Sequence, residues 1–242
     1  MDRLQFLERT YTRESRFSYD CHACKRCCHD KIIHVNPYEA ARLAGYLGLT
    51  TTELLNRHTS ANGTTLKQTE QGACIFLTAQ GCGVHPDRPL VCRLYPLGRR
   101  VTADGKETFR EVLPHPQTEG QYGSSGTVQE FLTKQGAQPF IEAVERYVAV
   151  VGRMADKIRS LMRQDNNLGI DIKDIVEHYP DPESSDVPSW VDLDQAVERF
   201  CTRHQIEVPT NVESRMRLHV QAIEEWLGHS SSHQGGAHDG EG

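Results

Sequence analysis

Seven of the eight cysteines lie in two short stretches of the chain, and this clustering constrains the fold more than any other feature of the sequence. The first stretch, residues 21–28, carries four thiols in eight residues, a density too high for ordinary core packing. Its first three cysteines repeat the C-x-x-C spacing, which lets two sulfurs of one turn reach the same metal. The sequence therefore predicts a metal site. The candidate ligands are Cys21, Cys24, Cys27, Cys28, Cys74, Cys82 and Cys92.

The sequence leaves the metal open between an iron–sulfur cluster and zinc, because soft thiolates select both. The spacing of Cys21, Cys24 and Cys27 is that of a bacterial ferredoxin, but Lys31 occupies the usual fourth position. A cysteine of the second stretch, residues 74–92, would have to complete the site. Structural zinc sites favour paired C-x-x-C knuckles, which that stretch lacks. We therefore expect an iron–sulfur cluster of the 4Fe–4S type, with structural zinc as the alternative.

Seven thiols exceed the four that saturate one zinc ion or one cluster. Either a histidine helps to complete a second site, or some thiols are spare and reactive. The histidines near enough in sequence are His22, His29, His34, His85 and His115. Basic side chains near the cysteines would stabilise a negatively charged centre, unless they are ordinary solvated charges or bind an anionic substrate. They are Lys25, Arg26, Lys31, Arg88, Arg93, Arg99 and Arg100.

Charge and hydropathy argue against two classes of partner. The 242-residue chain has a formal net charge of -6, whereas a nucleic-acid partner usually requires a basic surplus. No apolar run approaches the roughly 18 residues that a membrane helix needs. Residues 1–9 also lack the apolar core of a signal peptide. We therefore expect a cytoplasmic protein without a nucleic-acid or membrane partner, in which clustered thiols are reduced and more often bind metal than form disulfides.

The pattern of apolar residues predicts an α+β fold that is predominantly α. We expect a small cysteine-rich metal-binding domain at residues 15–125, with short strands and a hairpin. A helical hairpin or bundle should follow at residues 126–228, and a disordered tail at residues 229–242. The boundary between the first two lies in the segment 114–126, which is rich in Gly, Ser and Pro.

Capping residues locate the first helices. Asn36-Pro37 and Gly48 bound a helix over residues 38–47, and Thr50 begins a second helix that ends near His58. The other expected elements are a short helix at residues 3–9, a strand at residues 32–35, a hairpin around Asp104-Gly105, and helices at residues 140–162, 193–204 and 212–227.

The helix expected at residues 140–162 has an apolar stripe with alternating steps of three and four, which is typical of helix packing. Its members are Ile141, Val144, Val148, Val151, Ala155, Ile158 and Met162. Cys201 shares a helix face with Leu193 and Val197, so that we expect it to be a buried core thiol.

Three motifs occur in order: Cys21-x-x-Cys24-x-x-Cys27-Cys28, then Cys74-Ile75-Phe76-Leu77, then Arg88-Pro89-x-x-Cys92-Arg93-x-Tyr95-Pro96. Together they resemble the CxxCxxCC family, also called YkgJ-type cysteine-cluster proteins, which are described as zinc- or iron-chelating domains. The resemblance covers roughly residues 15–125 and implies a metal-binding domain with the seven clustered cysteines as candidate ligands.

The same resemblance raises two further points. Many members of the family carry another cysteine after the hairpin, but the comparable stretch here, Leu113-Pro114-His115-Pro116, has none. The resemblance thus implies that one ligand is lost or is replaced by His115. Flagellin lysine N-methylases carry a similar cysteine cluster, which suggests an enzymatic alternative.

These observations predict a cytoplasmic metal-binding protein that holds an iron–sulfur cluster through a subset of the seven cysteines. The helical module at residues 126–228 would serve for self-association or for docking a protein partner. The alternatives are a structural zinc-binding protein and a metal-dependent protein-modifying enzyme of the methylase kind.

Overall fold

The computed structural model describes residues 9–60, 63–164 and 190–229, without the side chains of Ile158, of residues 161–164 and of His229. Most of the helix predicted at residues 3–9, the end of the predicted apolar stripe and nearly all of the predicted tail lie outside the described residues.

The described residues form an α+β fold that is mostly α, as predicted. The helices are α1 (Pro37–Leu47), α2 (Thr51–His58), α3 (Leu90–Leu94), α4 (Val128–Lys134), α5 (Gln138–Gln164), α6 (Leu193–His204) and α7 (Val212–His229). The strands are β1 (Arg16–Asp20), β2 (Leu77–Thr78), β3 (Gly81–Cys82), β4 (Leu97–Val101), β5 (Glu107–Glu111) and β6 (Gln121–Thr127). They pair antiparallel as β1–β6, β2–β3 and β4–β5.

The capping signals place α1 and α2 where the sequence predicts them. The Asn36 side chain accepts a hydrogen bond from the Glu39 backbone N–H at 3.0 Å, and the Glu39 carboxylate accepts from the Asn36 N–H at 2.9 Å. Gly48 ends α1 in the left-handed region, with φ at 67°. Thr50 and Glu53 form the same reciprocal cap at α2. The hairpin predicted around Asp104-Gly105 is β4–β5.

The strand predicted at residues 32–35 is reduced to a pair of backbone contacts. Val35 donates to the Thr64 carbonyl at 2.8 Å, and Leu66 donates to the Ile33 carbonyl at 2.9 Å. His34 forms an isolated bridge opposite Thr65 within this contact. The apolar run there is too short to propagate a ladder, so that it supplies core side chains rather than a sheet.

Two apolar clusters fill the interior, and α1 contributes to both. Tyr38 and Ala41 point into a large cluster shared with the C-terminal helices. Leu43 and Ala44 point into a small cluster with Phe76, against which three of the cysteines pack. Because one amphipathic helix lines both clusters, its position fixes the cysteine stretches relative to the rest of the chain.

The large cluster joins parts of the sequence on either side of the predicted boundary. Leu94 and Phe109 from the cysteine-rich part pack in the same cluster as Phe131, Phe140 and Ile223 from the helical part. The segment 114–126 itself contributes most of β6, which pairs with β1. The division into domains at residues 125 and 126 therefore stays a prediction.

The buried face of α5 differs from the predicted stripe. Phe140, Ala143, Tyr147, Val150 and Met154 are all at most 4% exposed and follow one another in steps of three and four. The rings of Phe140 and Tyr147 on this face pack in the large cluster. Val148, which the aliphatic stripe had placed inside, is 67% exposed. The stripe was therefore wrong at Val148, because it followed the aliphatic residues and passed over the aromatic ones.

His219 on α7 provides a pH-dependent test of this packing. Its ring is fully buried and Nδ1 lies 2.8 Å from the Tyr147 hydroxyl, while burial lowers its pKa to about 4. An unfolded histidine titrates near about 6.5, so the unfolded chain binds the extra proton first as the pH falls. We expect this stability contribution to be complete above about pH 6.5 and to decline by up to about 3 kcal/mol as the pH falls to 4.

Urea unfolding of the wild type and of His219→Gln, followed by circular dichroism across that pH range, measures this contribution. The difference between the two free energies of unfolding should shrink as the medium becomes more acidic. A difference that stays constant with pH would show that the buried imidazole does not titrate as described.

Candidate metal centre

All eight cysteines have free thiols, and one of them lies away from the others in the core. Cys201 on α6 is 1% exposed and belongs to the large apolar cluster. This confirms the prediction that it is a buried core thiol.

The first cysteine stretch is a tightly wound loop. Ala23 and Lys25 both adopt left-handed backbone conformations, with φ at 53° and 66°, on either side of Cys24. A single turn of 3-10 helix then follows at Arg26–Cys28. The Lys25 ammonium group donates to the Ala79 carbonyl in the β2–β3 turn, which ties the loop to the second stretch.

Backbone hydrogen bonds join the two cysteine stretches directly. The Cys74 N–H donates to the Cys28 carbonyl at 2.8 Å, and the Asp30 N–H donates to the Gly72 carbonyl at 2.9 Å. Gly72 has φ at 75°, and a Cβ there would overlap Oδ1 of Asp30. Glycine at this position therefore avoids both the left-handed strain and the overlap with the Asp30 carboxylate.

A hairpin and a short helix present the other two cysteines of the second stretch. Cys82 lies on β3 opposite Leu77 of β2. Cys92 lies on α3, whose Leu90 N–H donates to the Glu39 carboxylate at 2.7 Å. Glu39 is 4% exposed, and burial raises its pKa. One buried carboxylate thus accepts from both the start of α1 and the start of α3, which fixes the helix that carries Cys92.

Arg93 attaches the same helix to the C-terminal helices. Its guanidinium donates to the carbonyls of Arg88 at 2.9 Å, Gln135 at 2.8 Å and Pro86, and lies 4.0 Å from the centroid of the Phe140 ring. Burial lowers its pKa to about 10. Arg93 is thus a packing residue. The sequence left open whether Arg93 stabilises a negative centre. Its side chain points towards Phe140 instead, and neighbours in sequence do not reveal where a side chain points.

Five thiols, here called the inner thiols, interact electrostatically with one another: Cys27, Cys28, Cys74, Cys82 and Cys92. Three of them, those of the second stretch, pack against the small apolar cluster. The Cys27 and Cys28 sulfurs lie 3.9 Å apart. Burial, reinforced by repulsion from Cys74, Cys82 and Cys27, raises the pKa of Cys92 to about 12. Burial also raises the pKa of Cys74, and the contact with Cys27 raises that of Cys28, whereas the same contact lowers the pKa of Cys27 to about 7.

Cys21 and Cys24, here called the outer thiols, lie at the rim. Cys21 is exposed, and Cys24 is half-buried with its sulfur 4.0 Å from the Thr118 hydroxyl. Burial raises the pKa of Cys24, but hydrogen bonds from the Glu119 and Arg26 backbones and from Thr118 outweigh that effect, so that the pKa is lowered.

Arg88 faces both sets of thiols. Burial lowers its pKa, and the thiols of Cys92, Cys82, Cys21 and Cys27 act in the opposite direction. Its guanidinium is held 2.5 Å from the His85 carbonyl and 2.5 Å from the Gln135 side-chain oxygen. The positive charges of Lys31 and Arg88 both act to lower the pKa of Cys27. Of the basic residues predicted to compensate the thiols, these two therefore face them.

Arg99 has a different role from the predicted one. Its guanidinium forms ion pairs with Glu107 at 2.5 Å and with Glu145 on α5. It therefore compensates carboxylates rather than thiols.

An aromatic group that the sequence did not reveal borders the outer thiols. Tyr19 on β1 lies opposite Tyr122 on β6, with ring centroids 5.2 Å apart, and 6.0 Å from the ring of Tyr95. The hydroxyl of Tyr19 fills the space that a Cβ on Gly120 would need. Tyr95 belongs to the third cysteine-containing motif, but Tyr19 and Thr118 lie outside the cysteine motifs in sequence.

The candidate histidines each have other contacts or lie open to solvent. His115 is exposed, and its Nδ1 accepts from the Gln117 N–H at 3.1 Å. His85 contacts Arg88, and His34 contacts Thr65, each at 3.2 Å. Among the residues that the structure describes, no three His, Cys, Asp or Glu side chains converge to hold one ion. The inner thiols therefore interact without converging on one point.

Residues 20–115, about two fifths of the chain, match the model of the CxxCxxCC family, whose description is "Putative zinc- or iron-chelating domain". This segment is here called the CxxCxxCC domain. The match supports metal binding by the CxxCxxCC domain and leaves zinc and iron undistinguished. No curated protein and no solved structure matches the chain. None of the described helices is long and apolar enough to cross a membrane.

Replacing Gly72 tests whether the backbone junction builds the centre. We expect Gly72→Ala to lower the free energy of unfolding by more than the roughly 1 kcal/mol typical of left-handed strain, because Asp30 must also move, and to reduce bound metal. Gly105→Ala is the matched control, since Gly105 has φ at 81° and a Cβ added there would meet no atom within 4 Å. Urea unfolding and metal analysis of both variants measure the effects. Equal metal content in the two would contradict this role of Gly72.

Proposed function

We propose that the CxxCxxCC domain holds one iron–sulfur cluster of the 4Fe–4S type through four of the inner thiols. The observation that carries the proposal is that five thiols from two distant stretches interact with one another without converging on one point. One zinc ion gathers four sulfurs about 2.3 Å from a single point. The irons of a cluster instead take separate cysteines, so that its ligands stand farther apart.

The surroundings of the inner thiols suit such a group. The small apolar cluster covers the thiols of the second stretch, which limits access of water. Arg88 and Lys31 offset part of the negative charge that thiolates bring. When bound, a cluster would supply one-electron chemistry tuned by this burial and charge. The free thiols support the proposal that the protein works in a reducing compartment such as the cytoplasm.

A zinc ion remains the second candidate because of one distance. The 3.9 Å between the sulfurs of Cys27 and Cys28 is close to the sulfur separation of about 3.8 Å that tetrahedral zinc with 2.3 Å bonds would impose. Zinc at this end of the site would draw the other inner thiols inward.

A methylase-like enzyme gains no support from the described cavity. That cavity, of about 520 Å³, is lined by α5 and α7 residues and by no cysteine. The lining residues are Arg153, Lys157, Glu224, Leu227 and Gly228. A donor site for modification at the cluster would instead lie beside the inner thiols.

The use of the helices for self-association or partner docking also stays a proposal. Most apolar side chains of α5, α6 and α7 pack into the large cluster. Val148 projects from α5 with 67% of its surface exposed and marks the face of that helix available to another molecule.

Metal analysis of anaerobically purified protein tests the proposed cluster. We expect iron and sulfide in equal amounts and absorption at about 400 nm. Cys74→Ser combined with Cys92→Ser should lose most of the iron because only three inner thiols remain, whereas Cys201→Ala, which removes a core thiol, should retain it. A colourless protein with zinc and no iron would refute the cluster and leave the zinc alternative.

A further inference from the structure

Cys21 is exposed, and neither Cys21 nor Cys24 packs against the small apolar cluster. We propose that Cys21 and Cys24 form an exchange pair, which accepts a thiolate-bound metal centre from a donor and passes it to the inner thiols. This inference rests on the proposed function, since it requires that the inner thiols hold the resident centre. It assigns the outer pair a transfer role instead of a place among the permanent ligands.

Exposure sets Cys21 apart from the other clustered cysteines. Cys21 follows the last residue of β1 and is open to solvent, whereas Cys24 is half-buried, as are the inner thiols. Neither packs against the small apolar cluster, whereas Cys74, Cys82 and Cys92 all do. An incoming donor can therefore reach the outer pair without disturbing the packing of the inner thiols.

The number of inner thiols also makes the outer pair unnecessary as permanent ligands. Four thiolates complete either a zinc site or a cluster, and the inner set offers five. The outer pair is consequently free for another role. The C-x-x-C spacing of Cys21 and Cys24 lets both sulfurs approach one metal.

Electrostatic interactions and one short sulfur–sulfur distance link Cys24 to the inner thiols. Cys24 and Cys27 are close enough for their thiolates to repel each other. The sulfur of Cys27 is 3.9 Å from that of Cys28, which in turn repels Cys82 and Cys92. A centre bound at the rim could thus move inward by replacing one ligand at a time.

Arg88 bridges the two sets. Its guanidinium interacts with Cys21 at the rim and with Cys27, Cys82 and Cys92 inside. A fixed positive charge beside the whole route would stabilise thiolates at both ends of it. The positive charge of Arg88 therefore acts on thiols of both the outer and the inner set.

The outer loop is positioned in advance of any metal. The sulfur of Cys24 is 4.0 Å from the Thr118 hydroxyl, and the Glu119 backbone also donates to it. Lys25 fastens the loop to the Ala79 carbonyl. These contacts hold Cys24 at the rim, where a donor can approach it.

The transfer is an exchange of thiolates without a change of oxidation state. A bond forms between the metal and the sulfur of an outer cysteine while a bond between the metal and a donor thiolate breaks. The proton that leaves the incoming thiol is taken up by the departing donor thiolate. The same exchange, with inner thiols as the incoming ligands, then carries the centre inward.

Alkylation of the metal-loaded full chain tests the assignment directly. Iodoacetamide treatment followed by peptide mass spectrometry should modify Cys21 and Cys24, while the inner thiols are protected by metal and Cys201 by burial. Protection of the outer pair that disappears when metal is removed would make these cysteines permanent ligands and overturn the inference.

A double variant tests the transfer itself. Cys21→Ser with Cys24→Ser should keep the wild-type metal content and melting temperature, but should take up Co²⁺ from its glutathione complex about tenfold more slowly, because exchange depends on an accessible thiolate. Uptake of aqueous Co²⁺ should be unchanged. His22→Ala, in the same exposed loop, is the control and should resemble the wild type. Offering Co²⁺ on a C-x-x-C peptide instead distinguishes a protein donor from a small-thiol donor.

Three results would count against the inference in different ways. Loss of metal in the double variant would show that the outer pair ligates the resident centre. An unchanged rate of uptake from both thiolate donors would show that the pair plays no part in transfer. A wild-type protein without metal would refute the proposed function, and this inference with it.

Discussion

The cost of ionising several partly buried thiols beside one another is the constraint on which the rest of the site depends. Thiolates placed together against an apolar cluster are unfavourable until a cation compensates them, and burial together with this repulsion raises the pKa of Cys92 to about 12. The chain must therefore hold these side chains together by other means. The backbone bond from Cys74 to Cys28, the cap that Glu39 provides to α3 and the charge of Arg88 perform this task.

The C-terminal helices reinforce this assembly through the large apolar cluster. Arg93 donates to the Gln135 carbonyl beyond α4, and Arg42 joins Asp87 at 2.6 Å to Glu213 on α7. The first contact involves α3, the helix that carries Cys92, and the second involves the segment before Cys92. Gln135 and Glu213 both lie outside residues 20–115, which match the family model. The helices thus contribute to the geometry of the cysteine region.

The sequence predicted those features that depend on local chemistry. Asn36, Thr50 and Gly48 bounded helices because caps and left-handed glycines act over a few residues. Asp104-Gly105 predicted a hairpin for the same reason. The clustering of cysteines likewise singled out the region in which the inner thiols meet.

Other features depend on which residues meet across the fold, and these were missed. The sequence analysis placed Val148 in the core because the spacing of apolar residues alone does not distinguish two neighbouring faces of α5. The sequence left open whether Arg93 compensates the thiols or is an ordinary solvated charge, and its side chain instead packs on Phe140. The division between inner and outer thiols depends on the junction of Cys28 with Cys74, which lie 46 residues apart in the sequence.

The central claim is that inner thiols hold a cluster, and native mass spectrometry of the anaerobically purified full chain tests it most directly. The account predicts one species whose excess mass over the bare chain equals four irons and four sulfides. The same excess mass should persist when both Cys21 and Cys24 are serine. An excess mass equal to that of a single zinc ion would contradict the account. Loss of the cluster's excess mass in the double variant would also contradict it.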